Sequence, residues 1–338
     1  MKREAILYER LKDDTVKCNV CQRRCLIPNG STGFCMTREN QGGKLYSLIY
    51  GEVSSLSVNP IEKKPVYHFL PGSRWLSLGS LGCNFRCPGC QNWRIAHWRG
   101  GPMGTQYLSP PSLVSEAKAA GCKGISWTFN EPALWLEYIL DAAKLAKHEG
   151  LYTNYVTNGF LTQEAFDRIA PFLDVYRVDI KGFSDQSYRK VTGVKGFEGV
   201  SRIAERAKDY GMHVEIVTNI IPSLNDSEAD LRGITSWISE RLGPDTPWHV
   251  TRFHPHHDLV HLHPTPVATL ERAWAIGKEE GLWYIYLGNV PGHRLENTYC
   301  HRCQALLIER YVFDVIRSSI KNNRCPDCGA EIPGKFQD

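Results

Sequence analysis

Apolar and polar positions follow two recurring patterns along the chain. Short runs rich in β-branched and aromatic residues predict strands with near-continuous apolar character. These runs are "WLSLGS", "KGISWTF", "YTNYVT", "LDVYRVDI", "HVEIVTN", "WHVTRF" and "WYIYL". Longer stretches with helical periodicity separate most of them. One stretch opens with Pro132 and closes on Gly150, and another begins at a Ser112 cap and ends at Gly121.

The order of these elements predicts the fold class. Repeated strand, helix, strand order with right-handed crossovers gives a parallel sheet covered by helices. Six or seven such units fall short of the eight that close a full barrel, so the sequence predicts an α/β protein with a partial TIM-type barrel.

Polar residues follow directly after several predicted strands. Ligands of parallel β/α folds collect at the carboxyl ends of the strands, so these residues are candidates for a site. After a cysteine-containing loop at residues 83–90, they are Asn130, Glu131, Thr157, Asn158, Asp179, Lys181, Thr218, Asn219, Arg252 and His254.

Composition narrows the class of protein. The chain has 338 residues and a net charge of +4, which is too small to predict a nucleic-acid or membrane partner. No apolar run reaches the roughly 20 residues that cross a bilayer, and the N-terminus lacks a signal-peptide core, so we expect a cytoplasmic protein. Thiols stay reduced there, and eleven of the twelve cysteines are grouped, which favours metal binding over disulfides.

The cysteine groups predict three segments. Residues 1–44 form a cysteine-rich metal-binding segment, residues 45–294 form the partial barrel, and residues 295–338 form a zinc-ribbon-like segment.

The middle cysteine group carries the most specific signal. "CNFRCPGC" places Cys83, Cys87 and Cys90 in a C-x3-C-x2-C loop after the first predicted barrel strand. Three thiolates can occupy three corners of a 4Fe-4S cluster and leave the fourth iron open. The alternatives are a zinc site with a remote fourth ligand, or three unrelated core cysteines.

This loop resembles the signature of radical S-adenosylmethionine (SAM) enzymes. The resemblance implies a (β/α)6 partial barrel, a 4Fe-4S cluster on the three cysteines, and SAM chelating the open iron. It also implies reductive cleavage of SAM to a 5′-deoxyadenosyl radical that abstracts hydrogen from an unidentified substrate. A low-potential electron donor such as ferredoxin or flavodoxin would supply the electron.

Further stretches extend the resemblance towards pyruvate formate-lyase activating enzymes. They are "TFNEP", "VTNGF", "DIKGF" and "RFHP". On these stretches the resemblance assigns cofactor binding to Asn130, Glu131, Thr157, Asn158, Asp179, Lys181 and His254. Two departures stand out: Gly89 replaces a usually bulky residue before the third cysteine, and Val156 replaces an aspartate common in the activating enzymes.

Residues 59–73, "NPIEKKPVYHFLPGS", together with "CQNW", are similar to the AmmeMemoRadiSam-type branch. That branch takes its name from its association with AMMECR1-like and Memo-like proteins. These proteins are therefore candidate partners. Glu62, Lys63, Lys64 and His68 in this segment either shape a substrate mouth or form an ordinary polar connection.

Two functions compete with a radical SAM enzyme acting on its own substrate. One is an activase that makes a glycyl radical on a partner protein. The other is a non-catalytic binding module in which the cluster is structural.

The two terminal cysteine groups are predicted to bind metal. Cys18, Cys21, Cys25 and Cys35 have the spacing C-x2-C-x3-C-x9-C, which suits zinc or a second cluster. Cys300, Cys303, Cys325 and Cys328 form two C-x2-C knuckles, a pattern that favours zinc, with a single iron as the alternative.

Overall fold

The structure is a computed structural model that describes residues 1–102 and 104–337. Its strands are Arg3–Glu4, Tyr8–Arg10, Val16–Cys18, Leu26–Ile27, Arg38–Gln41, Lys44–Ser47, Glu52–Val53, Ser55–Pro60, Arg74–Gly79, Gln106–Tyr107, Gly124–Trp127, Tyr152–Thr157, Val175–Asp179, His213–Ile220, Trp248–Arg252, Ile285–Gly288, Thr298–Tyr299, Leu306–Tyr311 and Asp314–Ser318.

Its α-helices are Trp93–Ala96, Pro110–Ala119, Leu136–His148, Gln163–Ile169, Asp185–Thr192, Phe197–Asp209, Glu228–Trp237 and Val267–Glu279. Short 3-10 turns lie at Ile61–Lys63, Pro132–Trp135, Ala170–Phe172, His257–Leu259 and Arg294–Glu296, and a π-helical turn lies at Ile238–Leu242.

The chain divides into two compact units. The first comprises residues 1–59, 74–176 and 198–212, and the second comprises residues 60–73, 177–197 and 213–338. The N-terminal cysteines therefore belong to the first unit and the C-terminal cysteines to the second. The three segments expected from the cysteine groups remain a prediction about domain organisation.

The first unit is built around parallel strands. Gly124–Trp127 pairs in parallel with Arg74–Gly79 on one side and with Tyr152–Thr157 on the other. All four residues of the central strand are buried, as expected of a parallel strand that is covered on both faces. The N-terminal part of the first unit adds a small antiparallel sheet, in which Val16–Cys18 pairs with Tyr8–Arg10 and with Leu26–Ile27.

The second unit also contains parallel strands. Trp248–Arg252 pairs in parallel with His213–Ile220 and with Ile285–Gly288. Leu306–Tyr311 pairs antiparallel with Thr298–Tyr299 and Asp314–Ser318, which forms the C-terminal ribbon. Parallel strands alternating with helices confirm the predicted α/β class.

Helix starts differ from the predicted positions for local reasons. The helix predicted from Ser112 begins at Pro110, because the Ser109 hydroxyl accepts a hydrogen bond from the Ser112 backbone N–H at 3.2 Å. Pro132 opens a 3-10 turn, and the α-helix that follows begins only at Leu136.

The segment after residue 59 lies in the interior of the second unit. The backbone N–H groups of Tyr67 and His68 donate to the Glu215 carboxylate at 2.8 and 2.7 Å. The His68 ring bonds the Tyr286 hydroxyl at 2.6 Å and the Pro333 carbonyl at 2.8 Å. These bonds fix the segment to a sheet strand and to the C-terminal tail of the same unit.

No helix in the described part of the chain is both long and apolar enough to cross a membrane.

Candidate active site and metal centres

The cysteine loop of the first unit begins where the strand Arg74–Gly79 ends. The Asn130 side chain holds the start of the loop, since its Oδ1 accepts from the Ser80 N–H and its Nδ2 donates to the Gly82 carbonyl, each at 2.9 Å. Gly79 permits this close approach, because a Cβ there would lie 2.7 Å from the Thr128 carbonyl oxygen. Asn130, which follows the strand Gly124–Trp127, thus fixes the loop that follows the neighbouring strand Arg74–Gly79.

The three thiols of the loop lie near one another. Cys83 Sγ accepts from the Phe85 backbone N–H at 3.4 Å and from Asn158 Nδ2 at 3.7 Å. Cys87 and Cys90 lie close enough to interact electrostatically with the Cys83 thiolate, and the Cys90 N–H closes a turn onto the Cys87 carbonyl at 3.2 Å. N–H donors aimed at sulfur are the usual surroundings of a cluster ligand.

Glu131 organises the loops next to these cysteines. Its carboxylate accepts from the Ala133 N–H at 2.9 Å, the Thr157 hydroxyl at 2.7 Å and the Asn158 N–H at 2.8 Å. The residue is only 2% exposed. Desolvation of the thiol, to which the Glu131 charge adds, raises the pKa of Cys83 well above its usual value.

The remaining predicted cofactor ligands lie in the second unit. Asp179 pairs with Arg177 at 2.8 Å and with Lys181 at 3.3 Å. Burial opposes ionisation of Asp179, but these two cations outweigh it and hold its pKa below the ordinary value. His254 is exposed, in the loop that follows the strand Trp248–Arg252.

The four N-terminal cysteines line one cavity of the first unit. A backbone hydrogen bond of 2.9 Å from the Cys18 N–H to the Cys25 carbonyl brings two of them together. The cavity wall consists of Cys18, Val20, Cys21, Arg23, Cys25, Ile27, Gly33, Cys35, Arg38, Asn84 and Leu134.

The four C-terminal cysteines form a compact cage in the second unit. Their four sulfur atoms all lie within 4.8 Å of one another, with 3.6 Å between Cys300 and Cys328 and between Cys303 and Cys325. A tetrahedral ion with metal–sulfur bonds of about 2.3 Å separates its sulfurs by about 3.8 Å, so this cage can hold a metal.

Comparison with known proteins places the chain in a family. The sequence profile of the Radical SAM superfamily matches residues 78–237, which include the cysteine loop, Asn130, Glu131, Thr157 and Asn158. The chain belongs to the radical SAM superfamily. An uncharacterized protein of Methanocaldococcus jannaschii is 42% identical to it over 332 residues, which cover 98% of each chain.

Other relatives of this radical SAM protein have names that specify an activity. It is 27% identical over 168 residues to a pyruvate formate-lyase-activating enzyme of Clostridium pasteurianum, which covers 46% of this chain and 66% of that enzyme. The chain thus spans slightly less than two thirds of that relative. The superfamily and its enzyme-named members identify the protein as a SAM-dependent enzyme, whereas the AmmeMemoRadiSam-type branch stays a prediction.

A solved structure supports the fold. A radical SAM methyltransferase from Sphaerobacter thermophilus matches with a TM-score of 0.52 and 16% identity, over 65% of this chain and 68% of that chain. The predicted radical SAM type of α/β fold is therefore confirmed.

Sequence reasoning missed two residues that join the cysteine groups of the first unit. The Arg23 guanidinium donates to the Asn84 carbonyl at 2.5 Å, and the Asn84 side chain accepts from Asn158 Nδ2 at 2.7 Å. The sequence signal for these two residues is their position between motif cysteines, in "CQRRC" and "CNFRC".

Proposed function

We propose that the protein is a radical SAM enzyme in which Cys83, Cys87 and Cys90 hold a 4Fe-4S cluster and SAM takes the open iron. When bound, the cluster supplies the electron that cleaves SAM to methionine and a 5′-deoxyadenosyl radical, which abstracts hydrogen from a substrate. The observation that carries the proposal is the Cys83 thiol, which accepts two N–H donors within a three-cysteine loop matched by the superfamily.

The chain's own residues prepare this site. The Phe85 N–H and the Asn158 amide donate to the Cys83 sulfur, which stabilises negative charge there and favours the reduced form of the centre. Asn130 and Glu131, predicted to bind the cofactor, would do so while ordering the loop backbone, because their side chains already hold Ser80, Gly82, Thr157 and Asn158.

Cofactor binding by Thr157 and Asn158 in the first unit is part of the same proposal, whereas the cofactor-binding roles of Asp179, Lys181 and His254 stay a prediction from the resemblance. The hydrogen bonds of Thr157 and Asn158 to Glu131 support the role assigned to these two residues. The two cations that keep Asp179 ionised support the role predicted for Asp179. A ferredoxin- or flavodoxin-type protein would supply the low-potential electron.

The test is SAM cleavage by anaerobically reconstituted protein. With dithionite as reductant, we expect wild type to release 5′-deoxyadenosine and Cys87→Ala to release at least about 100-fold less, because three thiolates are needed to hold the cluster. Cys122→Ala, which changes the cysteine outside the three groups, should behave as wild type. Full 5′-deoxyadenosine release by Cys87→Ala would disprove the cluster assignment.

A second candidate is an activase of a glycyl-radical enzyme. Similarity to the clostridial activating enzyme favours it, as does 28% identity over 152 residues to an isethionate sulfite-lyase activating enzyme of Nitratidesulfovibrio vulgaris, which covers 44% of this chain and 49% of that enzyme. Purified pyruvate formate-lyase mixed with reduced protein and SAM should then show a persistent doublet in electron paramagnetic resonance. Release of 5′-deoxyadenosine without a doublet would reject this partner and leave the first proposal standing.

We also propose that the C-terminal cysteines hold zinc in a structural role. The convergence of all four sulfurs within 4.8 Å leaves no open coordination position, as expected of a structural tetrahedral site. Metal analysis of protein produced with both metals available tests this, and one iron per chain in place of zinc would contradict it.

A further inference from the structure

We propose that Cys18, Cys21, Cys25 and Cys35 hold a second iron–sulfur cluster, in a cavity that shares a wall with the Cys83–Cys90 loop. The inference concerns a separate set of cysteines and stands or falls independently of SAM cleavage.

The N-terminal fold gathers the four thiols around one space. The strand Val16–Cys18 pairs with Leu26–Ile27, which sets Cys18 beside Cys25 across the sheet. Cys21 lies in the connection between these strands, where the Arg24 N–H donates to its carbonyl at 3.0 Å. Gly33 leaves room in the cavity, since a Cβ at that position would meet the Ile27 side chain at 3.1 Å.

The arrangement differs from a cage for a single ion. Within residues 1–102 and 104–337, the group of metal-ligating side chains whose ligand atoms all converge within 4.8 Å is the C-terminal one. The N-terminal thiols instead line a cavity together with Val20, Ile27 and Leu134. A cubane cluster places each thiolate on a different iron, so its ligands stand further apart than the about 3.8 Å of a tetrahedral zinc site.

The charge around the cavity suits an anionic cluster. Arg38, which is 1% exposed, lies close enough to Cys18 and Cys35 to attract their thiolates. Arg23 also lines the cavity, with its guanidinium 3.4 Å from the centroid of the Phe34 ring. Four thiolates around an iron–sulfur core leave a net negative charge, which guanidinium groups stabilise in a desolvated site.

A hydroxyl donor adds to this stabilisation. The Thr37 hydroxyl donates to Cys35 Sγ at 3.2 Å. Hydrogen bonds to cluster sulfurs favour the reduced form, so the position of Thr37 is that of a group that tunes a reduction potential.

The same cavity reaches the loop of the first cluster. Asn84 lines it and directly follows Cys83, and its side chain bonds Asn158, which in turn donates to Cys83 Sγ. The backbone of Gly82 packs closely against that of Cys35. A Cβ on Gly82 would lie only 2.6 Å from the Cys35 carbonyl oxygen. Two cysteine groups that share Asn84 as a wall are placed for redox or magnetic interaction.

The decisive experiment removes the first cluster and counts what remains. The triple variant Cys83→Ala, Cys87→Ala, Cys90→Ala, reconstituted anaerobically with iron, sulfide and zinc all present, should retain about four irons and four sulfides per chain. It should also keep an iron–sulfur absorption band and an electron paramagnetic resonance signal on reduction. Zinc in place of iron and sulfide at the N-terminal cysteines, or no metal at all there, would overturn the proposal.

The N-terminal cysteines stay unchanged in that variant, so the measurement does not depend on how well a mutated N-terminal site folds. Adding Cys21→Ser to the triple variant should then abolish the remaining sulfide. In the triple variant, loss of 5′-deoxyadenosine release reports on the proposed SAM-cleaving cluster, and retained iron reports on the proposed N-terminal cluster. The two proposals can therefore fail separately.

A variant near the cavity gives an independent readout. Replacing Arg23 by Gln in the triple variant should lower the midpoint potential of the remaining cluster, because a nearby cation favours the more negative reduced form. Arg24→Gln is the matched control. Arg24 is the next residue in the chain, but its guanidinium pairs with Glu164 at 2.7 Å and does not line the cavity. Equal potentials in both variants would contradict the assigned position of Arg23.

Discussion

The two terminal groups of four cysteines are built differently. The C-terminal sulfurs converge within 4.8 Å, on a ribbon whose two C-x2-C knuckles face each other. The N-terminal cysteines line a cavity whose wall includes Asn84 of the Cys83–Cys90 loop. Equal numbers of thiols thus form a compact cage in one unit and line a cavity next to the Cys83–Cys90 loop in the other.

A buried arginine–glutamate pair accompanies each group, and the pairs differ as well. Arg38 binds both carboxylate oxygens of Glu137 at 2.9 and 2.8 Å, beside the N-terminal cavity. Arg310, on a strand of the C-terminal ribbon, approaches Glu62 only to 3.8 Å. In the first pair both carboxylate oxygens are bonded and only Arg38 Nε lacks a partner among the described residues, whereas in the second pair Glu62 Oε2 and Arg310 Nε both lack one.

The largest effect is expected from opening the C-terminal cage. Cys325→Ser removes a buried ligand, and we expect loss of the metal and a fall of at least about 5 kcal/mol in the free energy of unfolding, because a structural metal contributes its binding energy to folding. Urea denaturation and metal analysis measure both. Cys122→Ser, a change of a buried cysteine outside the cages, serves as control, and wild-type stability without metal would show that the cage is not structural.

A smaller loss of stability should follow from breaking the pair beside the N-terminal cavity. Glu137→Gln leaves the Arg38 charge buried without its partner, and we expect about 3 to 5 kcal/mol of destabilisation by urea denaturation. Glu116→Gln, a change on the exposed face of a helix in the same unit, should leave stability within about 0.5 kcal/mol of wild type. Equal stability of the two variants would show that the pair contributes nothing.

Local patterns in the sequence predicted the parallel strands and the cysteine loop well. The strand predicted from "YTNYVT" matches Tyr152–Thr157, because a strand buried on both faces needs a continuous apolar and β-branched run. The three cysteines lie within eight residues, so their proximity was already fixed by the chain.

Contacts between distant residues were not predictable in the same way. The sequence predicts Glu62, Lys63, Lys64 and His68 at a substrate mouth or in a polar connection. Lys63 is exposed, but Glu62, Lys64 and His68 are only 1%, 4% and 0% exposed. Their partners lie up to about 265 residues away, as in the bond between His68 and Pro333, and no local periodicity encodes such a pairing.

The link between the cysteine groups of the first unit escaped prediction for a similar reason. Asn84 and Arg23 are 61 residues apart and meet through a side chain and a backbone carbonyl. The sequence showed two cysteine motifs, and only the fold shows that they share a wall.

The smallest effect concerns the looser pair in the second unit and depends on pH. Burial, only partly offset by Arg310, raises the pKa of Glu62 to about 7 from an ordinary value of 4.5, and Glu62 Oε2 has no hydrogen-bond partner among the described residues. Between these pH values the folded protein keeps a proton that the unfolded chain releases. Stability from this group is therefore complete below pH 4.5 and is lost as pH rises through about 7, by about 3 kcal/mol.

Glu62→Gln removes this titration while keeping an oxygen to accept the Gly72 N–H, which lies 2.9 Å from Glu62 Oε1 in the wild type. We expect the variant to lose less stability than wild type between pH 5 and 7 in urea denaturation, whereas Glu331→Gln, at an exposed glutamate of the same unit, should follow wild type. Identical slopes for wild type and Glu62→Gln would mean that Arg310 compensates Glu62 as fully as Arg38 compensates Glu137. The contrast between the two buried pairs would then disappear, while the contrast between the two cysteine groups would remain, because it rests on the C-terminal sulfur positions and on the lining of the N-terminal cavity.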